Sequence, residues 1–442
     1  MQVCVLMTVL HVLHSSLPLL SGYAIRTQHI LKQQQQYCTA IGVTSPYHEA
    51  ACEIEAIDGV TYHHAKRSAR SAYLERHDIP VLKHYALQKD FERVLDKLIH
   101  DLQPHIIHGH SSHRVSWPAY RAAQRHRLPF VYEMRGLWEE TAVAKGFYGR
   151  HSLRYQYHRH AELALARRAK KIFVISQSLR EDLMARGLPD SKIVVVPNGV
   201  VVHNIVESRS TSLRKRYGLE HAIVLGYIGS LNNYESLDLF LAALALLVQK
   251  GKRVKGLIVG DGPEKENLIE HARRLGIREH VIFTGQIAPQ EIQAYYALLD
   301  VFVITRSPSR VAQLVTPLKP YEAMAAGKCL LVSRLPALQE IVQEDTTGLC
   351  FNSGEACDLA KQCERLLDDQ TLRQRLGRAA RDWVLQNRQW QELVKIYLEH
   401  YSEILNCHSV EQKSVIQKEI FSALEWKSTG DLSRALKKIP PE

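Results

Sequence analysis

Residues 316–328 read TPLKPYEAMAAGK, and this stretch predicts a helix that packs closely against a sheet. Lys319 precedes the carboxylate of Glu322 by three residues, so both side chains fall at the start of that helix. Alanines at three of the next four positions permit a close approach to neighbouring strands, and Gly327 suits the C-cap. A cation and a carboxylate placed in this way could hold a phosphate and a diol of one ligand.

The sequence on either side alternates short β-rich runs with longer helical ones, which is typical of parallel sheets with crossover helices. Amphipathic spacing predicts helices at 24–35, 237–249 and 263–275. The turn at Pro197-Asn198-Gly199 separates two such series, so the chain is predicted to form two α/β halves. The predicted strands are 9–13, 39–44, 105–108, 130–133, 171–175 and 192–196, then 223–228, 256–259, 281–284, 300–304 and 329–333.

Length and composition agree with two globular domains. The 442 residues exceed what one hydrophobic core usually organises, and 45% of them are hydrophobic. No run approaches the roughly 18 apolar residues of a spanning helix, which argues against an integral membrane protein. Residues 3–13 are apolar but lack a preceding basic residue, which argues against a secretory signal. The eight cysteines show no CxxC spacing, so we expect a reduced, cytoplasmic compartment.

The net charge of +11 is concentrated in the first half, where residues 1–200 carry +9. A basic half suggests an anionic partner, either a phosphorylated ligand or a membrane surface. No nucleic-acid-binding motif is present, so the net charge alone is weak support for nucleic acid as the partner. A solvated helix face explains the densest basic clusters equally well. Those clusters are Arg167, Arg168, Lys170 and Lys171, and Arg121, Arg125 and Arg127.

Several motifs follow predicted strands, where ligands of parallel sheets bind. Each has a structural alternative: tight turns for the glycines, exposed loop positions for the histidines, and pairing with one another for the charged residues. No metal-ligand spacing such as HExxH occurs, so no metal site is expected. The motifs are SGY (21–23), HGHSSH (108–113), YEMRGLWEE (132–140), GYIGSL (226–231), GDGP (260–263) and FTG (283–285).

Taken together with VPNGV (196–200) and PLKPYEAMAAGK (317–328), these motifs resemble the family 4 retaining glycosyltransferases of the GT-B fold over about residues 1–400. The segment LHVLHSSLPLLSGYAIRTQHIL (10–31) is similar to one subgroup, the glycosyltransferases associated with exosortase and PEP-CTERM exopolysaccharide loci. The resemblance implies an α/β fold in which two Rossmann-like domains, 1–205 and 206–385, face each other across a cleft. A helix at 386–405 would cross back to the N-terminal domain, and 406–442 would form a tail.

The resemblance also implies a reaction. A nucleotide-sugar donor would lie mainly in the C-terminal domain, and a glycan or lipid-linked acceptor in the N-terminal domain. Transfer would retain the anomeric configuration, without a metal or another cofactor, in exopolysaccharide or cell-surface glycan synthesis. The enzyme would be cytoplasmic, with weak association at the inner face of an anionic plasma membrane, and would not bind nucleic acid.

The same resemblance assigns roles to individual residues. Glu322 would accept hydrogen bonds from the ribose, and Lys319 would reach the diphosphate. Gly22 would bring backbone N–H groups to the distal phosphate, and His110 would face the donor sugar near its anomeric carbon. The predicted catalytic residues are His110, Arg135 and Lys319. The predicted donor-binding residues are Gly22, Gly229, Ser230, Gly262, Thr284, Gly285, Arg306, Arg310, Lys319 and Glu322.

Two departures from the family pattern affect these expectations. The family's first glutamate falls eight residues before Glu322, where this chain has Leu314. The usual arginine and lysine after the first C-terminal strand are absent from GSLNNYE (229–235). Other cations are therefore expected to meet the diphosphate charge, namely Arg135, Arg306, Arg310 and Lys319. Three alternatives stay open: a nucleotide-sugar epimerase of the same fold, a non-catalytic homologue that binds a donor or a partner, and a nucleic-acid binder.

Overall fold

The computed structural model describes residues 7–19, 21–77, 80–201 and 207–406. Its first sheet has the strand order β3-β4-β2-β1-β5-β6-β7-β8, in which β3 alone runs antiparallel to its neighbour. Helices join the parallel pairs that follow one another in the chain, as crossover connections require, whereas β2 is joined to β4 through β3. The strands are β1 (Thr8–Leu13), β2 (Thr39–Thr44), β3 (Ile54–Ile57), β4 (Val60–His64), β5 (Ile106–His110), β6 (Phe130–Met134), β7 (Ile172–Val174) and β8 (Ile193–Val195).

Helices cover both faces of this sheet and bury its apolar side chains in two clusters. Several of these helices begin after a small polar residue at the N-cap. The Ser21 and Ser176 hydroxyls, for example, accept backbone N–H groups of α1 and α7, respectively. The helices are α1 (Gly22–Gln34), α2 (Ala69–Arg76), α3 (Pro80–Leu102), α4 (His113–Arg125), α5 (Trp138–Ala144), α6 (Leu153–Arg168) and α7 (Gln177–Ala185).

The second sheet is wholly parallel, with the order β11-β10-β9-β12-β13-β14. Its strands are β9 (Ile223–Ile228), β10 (Val254–Val259), β11 (Val281–Phe283), β12 (Val301–Ile304), β13 (Cys329–Ser333) and β14 (Gly348–Phe351). Its helices are α8 (Glu207–Arg216), α9 (Leu237–Gln249), α10 (Lys265–Arg274), α11 (Ile292–Leu298), α12 (Arg310–Leu314), α13 (Lys319–Ala325), α14 (Pro336–Gln339), α15 (Ala356–Asp368) and α16 (Gln370–Asn387).

The last described helix, α17 (Trp390–Asn406), returns to the first sheet. Trp390, Tyr397 and Tyr401 are at most 2% exposed and pack in the apolar cluster that also holds β1 side chains. Aromatic residues dominate this contact because each buries a large apolar area and carries a polar group for a buried partner. The fold predicted from the sequence, with two Rossmann-like domains and a returning C-terminal helix, is confirmed. The predicted tail lies outside the described residues from position 407 onward.

The two sheets meet through specific hydrogen bonds. The Glu340 carboxylate of the C-terminal half accepts the backbone N–H groups of Gln177 and Ser178, both at 2.7 Å, at the start of α7. A carboxylate is stabilised at this position by the helix dipole and by otherwise unpaired N–H groups. Asn198 donates to the carbonyl of Thr316 at 2.8 Å, beside the same interface. These contacts bring the carboxyl ends of both sheets together.

Sequence periodicity missed β3, β4 and β14. Strand β3 alternates between exposed and half-buried residues, and β4 reads VTYHH, so neither contains an apolar run. Strand β14 reads GLCF and is fully buried, and no strand is predicted there from the sequence. Within the described residues, no helix is long and apolar enough to cross a bilayer. The six described cysteines are all free thiols.

Candidate active site

Lys319 lies at the carboxyl ends of the C-terminal strands, in the first turn of α13. Its ammonium group contacts the hydroxyl of Tyr227 in β9 and lies 3.1 Å from the Glu235 carboxylate, with 21% of the side chain exposed. Gly229 follows β9 with a φ of +151°, and a Cβ at this position would collide with the lysine side chain. The path of Lys319 therefore requires this glycine, and Ser230 is exposed next to it.

Glu235 is a buried carboxylate on which two cations converge. It accepts two hydrogen bonds from the Arg306 guanidinium, at 3.1 and 3.2 Å, and one from Lys319. Burial alone would raise the pKa of Glu235, but the charges of Arg306 and Lys319 outweigh burial and hold the pKa at about 2. Glu235 is therefore ionised at neutral pH and fixes both cations.

Arg306 and Arg310 have partners within the protein. Arg306 is 7% exposed, and it also donates to the Val315 carbonyl at 2.9 Å. Arg310 pairs with Asp182 of α7, across the interface between the two sheets. Both arginines, like Lys319, therefore already face carboxylates of the chain, and Arg310 keeps 41% of its side chain exposed. That they meet the charge of a donor diphosphate stays a prediction.

Glu322 follows Lys319 by three residues on the same turn of α13. The residues on either side of it, Tyr321 and Ala323, are buried, so the helix turns Glu322 toward its partly exposed face. The Glu322 carboxylate accepts a hydrogen bond from the Tyr296 hydroxyl at 2.7 Å. The structure therefore brings Glu322 and Lys319 together, as the sequence predicts.

The predicted glycine loops of the C-terminal half pack against one another through their backbones. Gly260 donates to the carbonyl of Gly285 at 3.0 Å, and the Thr284 hydroxyl donates to the same carbonyl at 2.9 Å. A Cβ on Gly262 would collide with the backbone of Leu231. Close backbone packing therefore explains why these positions are glycine, and it places all three loops at one end of the sheet.

Gly22 is the first residue of α1, and it is exposed toward the C-terminal half. A Cβ on Gly22 would lie 3.7 Å from the side chain of Leu318, the residue that precedes Lys319. The structure therefore brings Gly22 and Lys319 to one interface from separate sheets.

His110 is fully buried in the N-terminal half. One ring nitrogen lies 2.9 Å from Nδ1 of His11, and the other lies 3.2 Å from the Glu133 carboxylate and 2.5 Å from the Arg135 guanidinium. Burial and the charge of Arg135 lower the pKa of His110 to about 4, so the ring is neutral at pH 7. The His110 ring has no exposed surface in this structure, and that it faces a donor sugar stays a prediction.

Arg135 is also bound inside the N-terminal half, with 8% of its side chain exposed. Its guanidinium donates to Glu133 at 3.1 Å, to the Tyr23 carbonyl at 2.8 Å and to the Thr27 hydroxyl at 2.6 Å. It also lies 4.6 Å from the centre of the Tyr23 ring. These contacts join the end of β6 to α1, and the catalytic role predicted for Arg135 stays a prediction.

Sequence reasoning missed Arg26, which is 2% exposed and donates to the Glu133 carboxylate at 2.8 Å. The same guanidinium donates to the Asn198 side chain and to the Tyr397 hydroxyl, both at 2.9 Å. The sequence contained a signal that Arg26 is buried, because Arg26 lies four residues before Ile30 and therefore on the same face of α1. A charge on an apolar face requires a buried partner.

Among the described residues, His11, His108 and His110 form the group whose nitrogen atoms could hold a metal ion. Several ring nitrogens already have partners: His11 bonds Gln34 at 2.8 Å, and Nδ1 of His108 bonds the Tyr401 hydroxyl at 2.6 Å, while Nε2 of His108 lies 3.6 Å from the Glu133 carboxylate. Two buried guanidinium groups share one carboxylate beside the trio. A divalent cation would add to an excess of buried positive charge, so the donor set does not suit a metal well.

A cavity of about 520 Å³ lies at the opposite, amino end of the C-terminal sheet, beside the residues that precede β9 and β12. Its charged groups are paired, Arg214 with Asp300 at 3.4 Å and Lys252 with Asp368 at 2.8 Å. The convergence of Lys319, Glu322 and Gly22 at the other end identifies the candidate site better than this cavity does.

Glu235→Gln should destabilise the protein by about 3–5 kcal/mol at pH 7, because it leaves the buried Arg306 charge without its partner. The Glu235 carboxylate contributes stability above its ordinary pKa of 4.5, and this contribution is lost as pH falls toward about 2. The difference between variant and wild type in urea unfolding should therefore shrink between pH 4.5 and pH 2. Glu266→Gln, on exposed α10, is the control; an equal effect there would contradict the assignment.

Comparisons with known families match both halves of the chain. Residues 21–199 match the family model described as a glycosyl transferase 4-like domain, and residues 210–383 match the model of glycosyl transferases group 1. The alpha-D-kanosaminyltransferase of Streptomyces kanamyceticus is 25% identical over 224 residues, 50% of this chain and 57% of that protein. A GDP-mannose-dependent phosphatidylinositol monomannoside mannosyltransferase of Mycobacterium tuberculosis is 31% identical over 183 residues, 41% of this chain and 48% of that protein. The matched stretches thus span about half the length of these relatives.

Two solved structures share the fold. Anabaena HepE, determined in complex with UDP, superposes with a TM-score of 0.69 at 20% identity, over 90% of this chain and all of that one. The sucrose-phosphate synthase of Thermosynechococcus elongatus superposes with a TM-score of 0.73 at 17% identity, over 91% of this chain and all of that one. At these identities the likeness establishes the architecture. By its two domain models and its architecture, the chain belongs to the glycosyltransferases of the GT-B fold.

Proposed function

We propose that the protein transfers a sugar, with retention of configuration, from a nucleotide-sugar donor to a glycan or lipid-linked acceptor. The observation that carries this proposal is the convergence of Lys319 and Glu322 on one turn of α13, opposite the exposed Gly22 of α1. A cation, a carboxylate and a helix start from the facing domain suit a nucleoside diphosphate and its ribose. The UDP complex of HepE and the GDP-mannose dependence of the mycobacterial relative support a nucleotide-sugar donor.

In this proposal the donor's ribose hydroxyls donate to the Glu322 carboxylate, and Lys319 approaches the diphosphate. The developing negative charge of the departing nucleoside diphosphate is stabilised by Lys319 and by backbone N–H groups at the start of α1. The acceptor hydroxyl attacks the face that the diphosphate leaves, so no enzymic nucleophile is needed. The carboxylates after β6 fit this view, because Glu139 pairs with Arg186 at 3.1 Å and Glu140 with Arg150 at 3.0 Å.

We further propose a place in exopolysaccharide or cell-surface glycan synthesis, on the strength of the N-terminal motifs quoted above. Two other functions of the same fold would give different results. A nucleotide-sugar epimerase would convert the donor in the absence of any acceptor. A non-catalytic homologue would bind the donor without transfer, an outcome motivated by Leu314, which packs against the N-terminal core instead of presenting a carboxylate.

Membrane association at the cytoplasmic face is part of the proposal, and we propose residues 141–161 as its contact in place of the cluster of Arg121, Arg125 and Arg127. Arg121 and Arg125 of the second cluster already pair with Glu92 on α3, at 2.6 and 3.3 Å. Residues 141–161 contain no aspartate or glutamate. Within that segment Phe147 is 71% exposed and Leu153 is 89% exposed.

Glu322→Ala should weaken donor binding by about 1.5–3 kcal/mol, which is the range for a hydrogen bond to a charged group. The measurement is a thermal-shift screen against a panel of nucleotide sugars, since a bound donor raises the melting temperature of wild type. Glu266→Ala on exposed α10 serves as the control and should respond like wild type. Unchanged donor stabilisation in Glu322→Ala would refute the placement of the ribose.

Transfer should persist in EDTA, because the proposed charge stabilisation uses side chains and helix N–H groups. The assay compares sugar transfer before and after exhaustive chelation, with magnesium and manganese added back separately. Activity that disappears with the chelator and returns with either ion would show metal-assisted departure of the diphosphate instead.

Phe147→Ser combined with Leu153→Ser should abolish sedimentation with vesicles that contain phosphatidylglycerol, because apolar side chains insert beside basic residues at an anionic interface. Binding of wild type should also fall when salt is raised well above about 0.1 M. Tyr73→Ser combined with Leu82→Ser removes two exposed apolar side chains elsewhere and should bind like wild type. Equal binding of all three proteins would exclude residues 141–161 as the membrane contact.

A further inference from the structure

Two helices of the N-terminal half carry an arginine at the end where the helix dipole disfavours a cation. Arg114 is the second residue of α4 and Arg154 the second residue of α6. Neither first turn contains an acidic residue. Because the amino end of a helix is already positive, helix stability does not account for either arginine.

The structure also gives these two arginines no carboxylate. Among the described residues, none lies within ion-pair distance of either guanidinium. Arg114 instead contacts the ring of His158 at 3.4 Å, and Arg154 lies 5.3 Å from the centre of the Tyr148 ring. The carboxylates of the neighbouring helices have other partners: Arg186 for Glu139, Arg150 for Glu140, and the backbone N–H of His113 for Glu162. Two positive charges are therefore left uncompensated at two helix amino ends.

Neutral hydrogen-bonding rings surround these charges. Burial, the neighbouring His113 and the charges of Arg114 and Arg154 together lower the pKa of His158 to about 4. Burial and the same two charges also lower the pKa of His84, whose Nδ1 lies 3.1 Å from the Tyr47 hydroxyl. Neutral imidazoles and phenols can bind hydroxyl groups as donors or acceptors.

An aromatic surface extends from this cluster toward the candidate active site. The His14 ring lies 6.0 Å from the Tyr47 ring, at an interplanar angle of 7°, and 6.1 Å from the Trp138 ring, at 27°. The backbone N–H of His14 donates to the Tyr23 hydroxyl at 3.0 Å, and Tyr23 follows Gly22. The rings therefore occupy the same end of the N-terminal sheet as Gly22.

We propose that Arg114 and Arg154 form a subsite for a phosphate group of the acceptor, with the rings of His14, Tyr47 and Trp138 as the surface on which the rest of the acceptor lies. The inference rests on the proposed function, because it assigns the acceptor to the N-terminal half. Guanidinium groups bind phosphate through paired hydrogen bonds, and both arginines lie at helix amino ends, where the helix dipole favours an anion. The phosphate could belong to a lipid-linked acceptor or to a soluble sugar phosphate.

The test is calorimetric titration with inorganic pyrophosphate. All variants carry Lys319→Gln, which removes the cation proposed for the donor diphosphate. Adding Arg114→Gln and Arg154→Gln should weaken the remaining pyrophosphate binding about tenfold or more, because two charge-assisted contacts are lost. The matched control is Arg125→Gln with Arg167→Gln, which removes the same charge from the last turns of the same two helices and should leave binding unchanged. Equal weakening in both pairs, or in neither, would overturn the proposal, and melting curves without ligand verify that each variant is folded.

Two further titrations identify the source of the phosphate. Neutral phosphatidylcholine vesicles carrying a long-chain polyprenyl phosphate should retain wild type but not the Arg114/Arg154 variant if the acceptor is lipid-linked. Glucose 1-phosphate should show the same difference if the acceptor is soluble. If the variant and wild type bind equally both to the polyprenyl phosphate vesicles and to glucose 1-phosphate, the assignment is contradicted.

The donor panel separates this inference from the proposed function. Arg114→Gln with Arg154→Gln, with Lys319 intact, should keep the stabilisation by a nucleotide sugar, since neither arginine contacts the donor side. If no nucleotide sugar stabilises wild type, the proposed function fails while the pyrophosphate result stands. If a nucleotide sugar stabilises both proteins and pyrophosphate does not distinguish them, the acceptor subsite alone fails.

Discussion

The buried ion pair between Arg26 and Glu133 is the interaction on which the relative placement of the elements depends. From α1, the Arg26 guanidinium reaches the carboxylate in β6, the carbonyl of Val196 after β8 at 2.8 Å, and the Tyr397 hydroxyl of α17. It also holds Asn198, whose amide donates to Thr316 in the other half. Because leaving such a charge unpaired in the interior costs several kcal/mol, these four elements are held in one arrangement. The end of the first domain, the returning helix and the exposed Gly22 of α1 are positioned by the same group.

A corresponding buried charge organises the C-terminal half. Glu235 lies in the stretch that departs from the family pattern, and its carboxylate fixes Arg306 and Lys319. The positive charge that the family pattern places in this stretch is therefore supplied by Arg306 and Lys319 from later in the chain. Lys319 keeps part of its side chain exposed, whereas Arg306 is held by its carboxylate and by a carbonyl, so the lysine is the better placed of the two cations for a diphosphate. The N-terminal half shows the opposite pattern at α4 and α6, where Arg114 and Arg154 have no carboxylate among the described residues.

Much of the architecture could be predicted from the sequence because it depends on local signals. Buried parallel strands such as β9 and β13 are short apolar runs between turn residues, and their predicted bounds agree with the structure. The candidate site was predicted in part, since Lys319 and Glu322 are neighbours on one helical turn. The partners of Arg306, Arg310 and His110 within the protein could not be predicted, because residue type and position after a strand do not reveal which carboxylate or ring each side chain meets. Glu235 lies 71 residues from Arg306 and Asp182 lies 128 residues from Arg310, whereas the partners of His110 lie on the strands next to β5.

The sequence by itself determined the two α/β halves, the glycine loops at their strand ends and the lysine-glutamate turn, since helix and strand periodicity and turn chemistry act over a few residues. Only the tertiary structure decided which charges are available. The same residue type, arginine, is paired with a carboxylate at positions 26, 306 and 310 and has none within the described part of the chain at 114 and 154. The reason is physical: a charge is compensated by groups within a few ångströms of it, and in a parallel α/β fold those groups come from strands and helices that are distant in sequence.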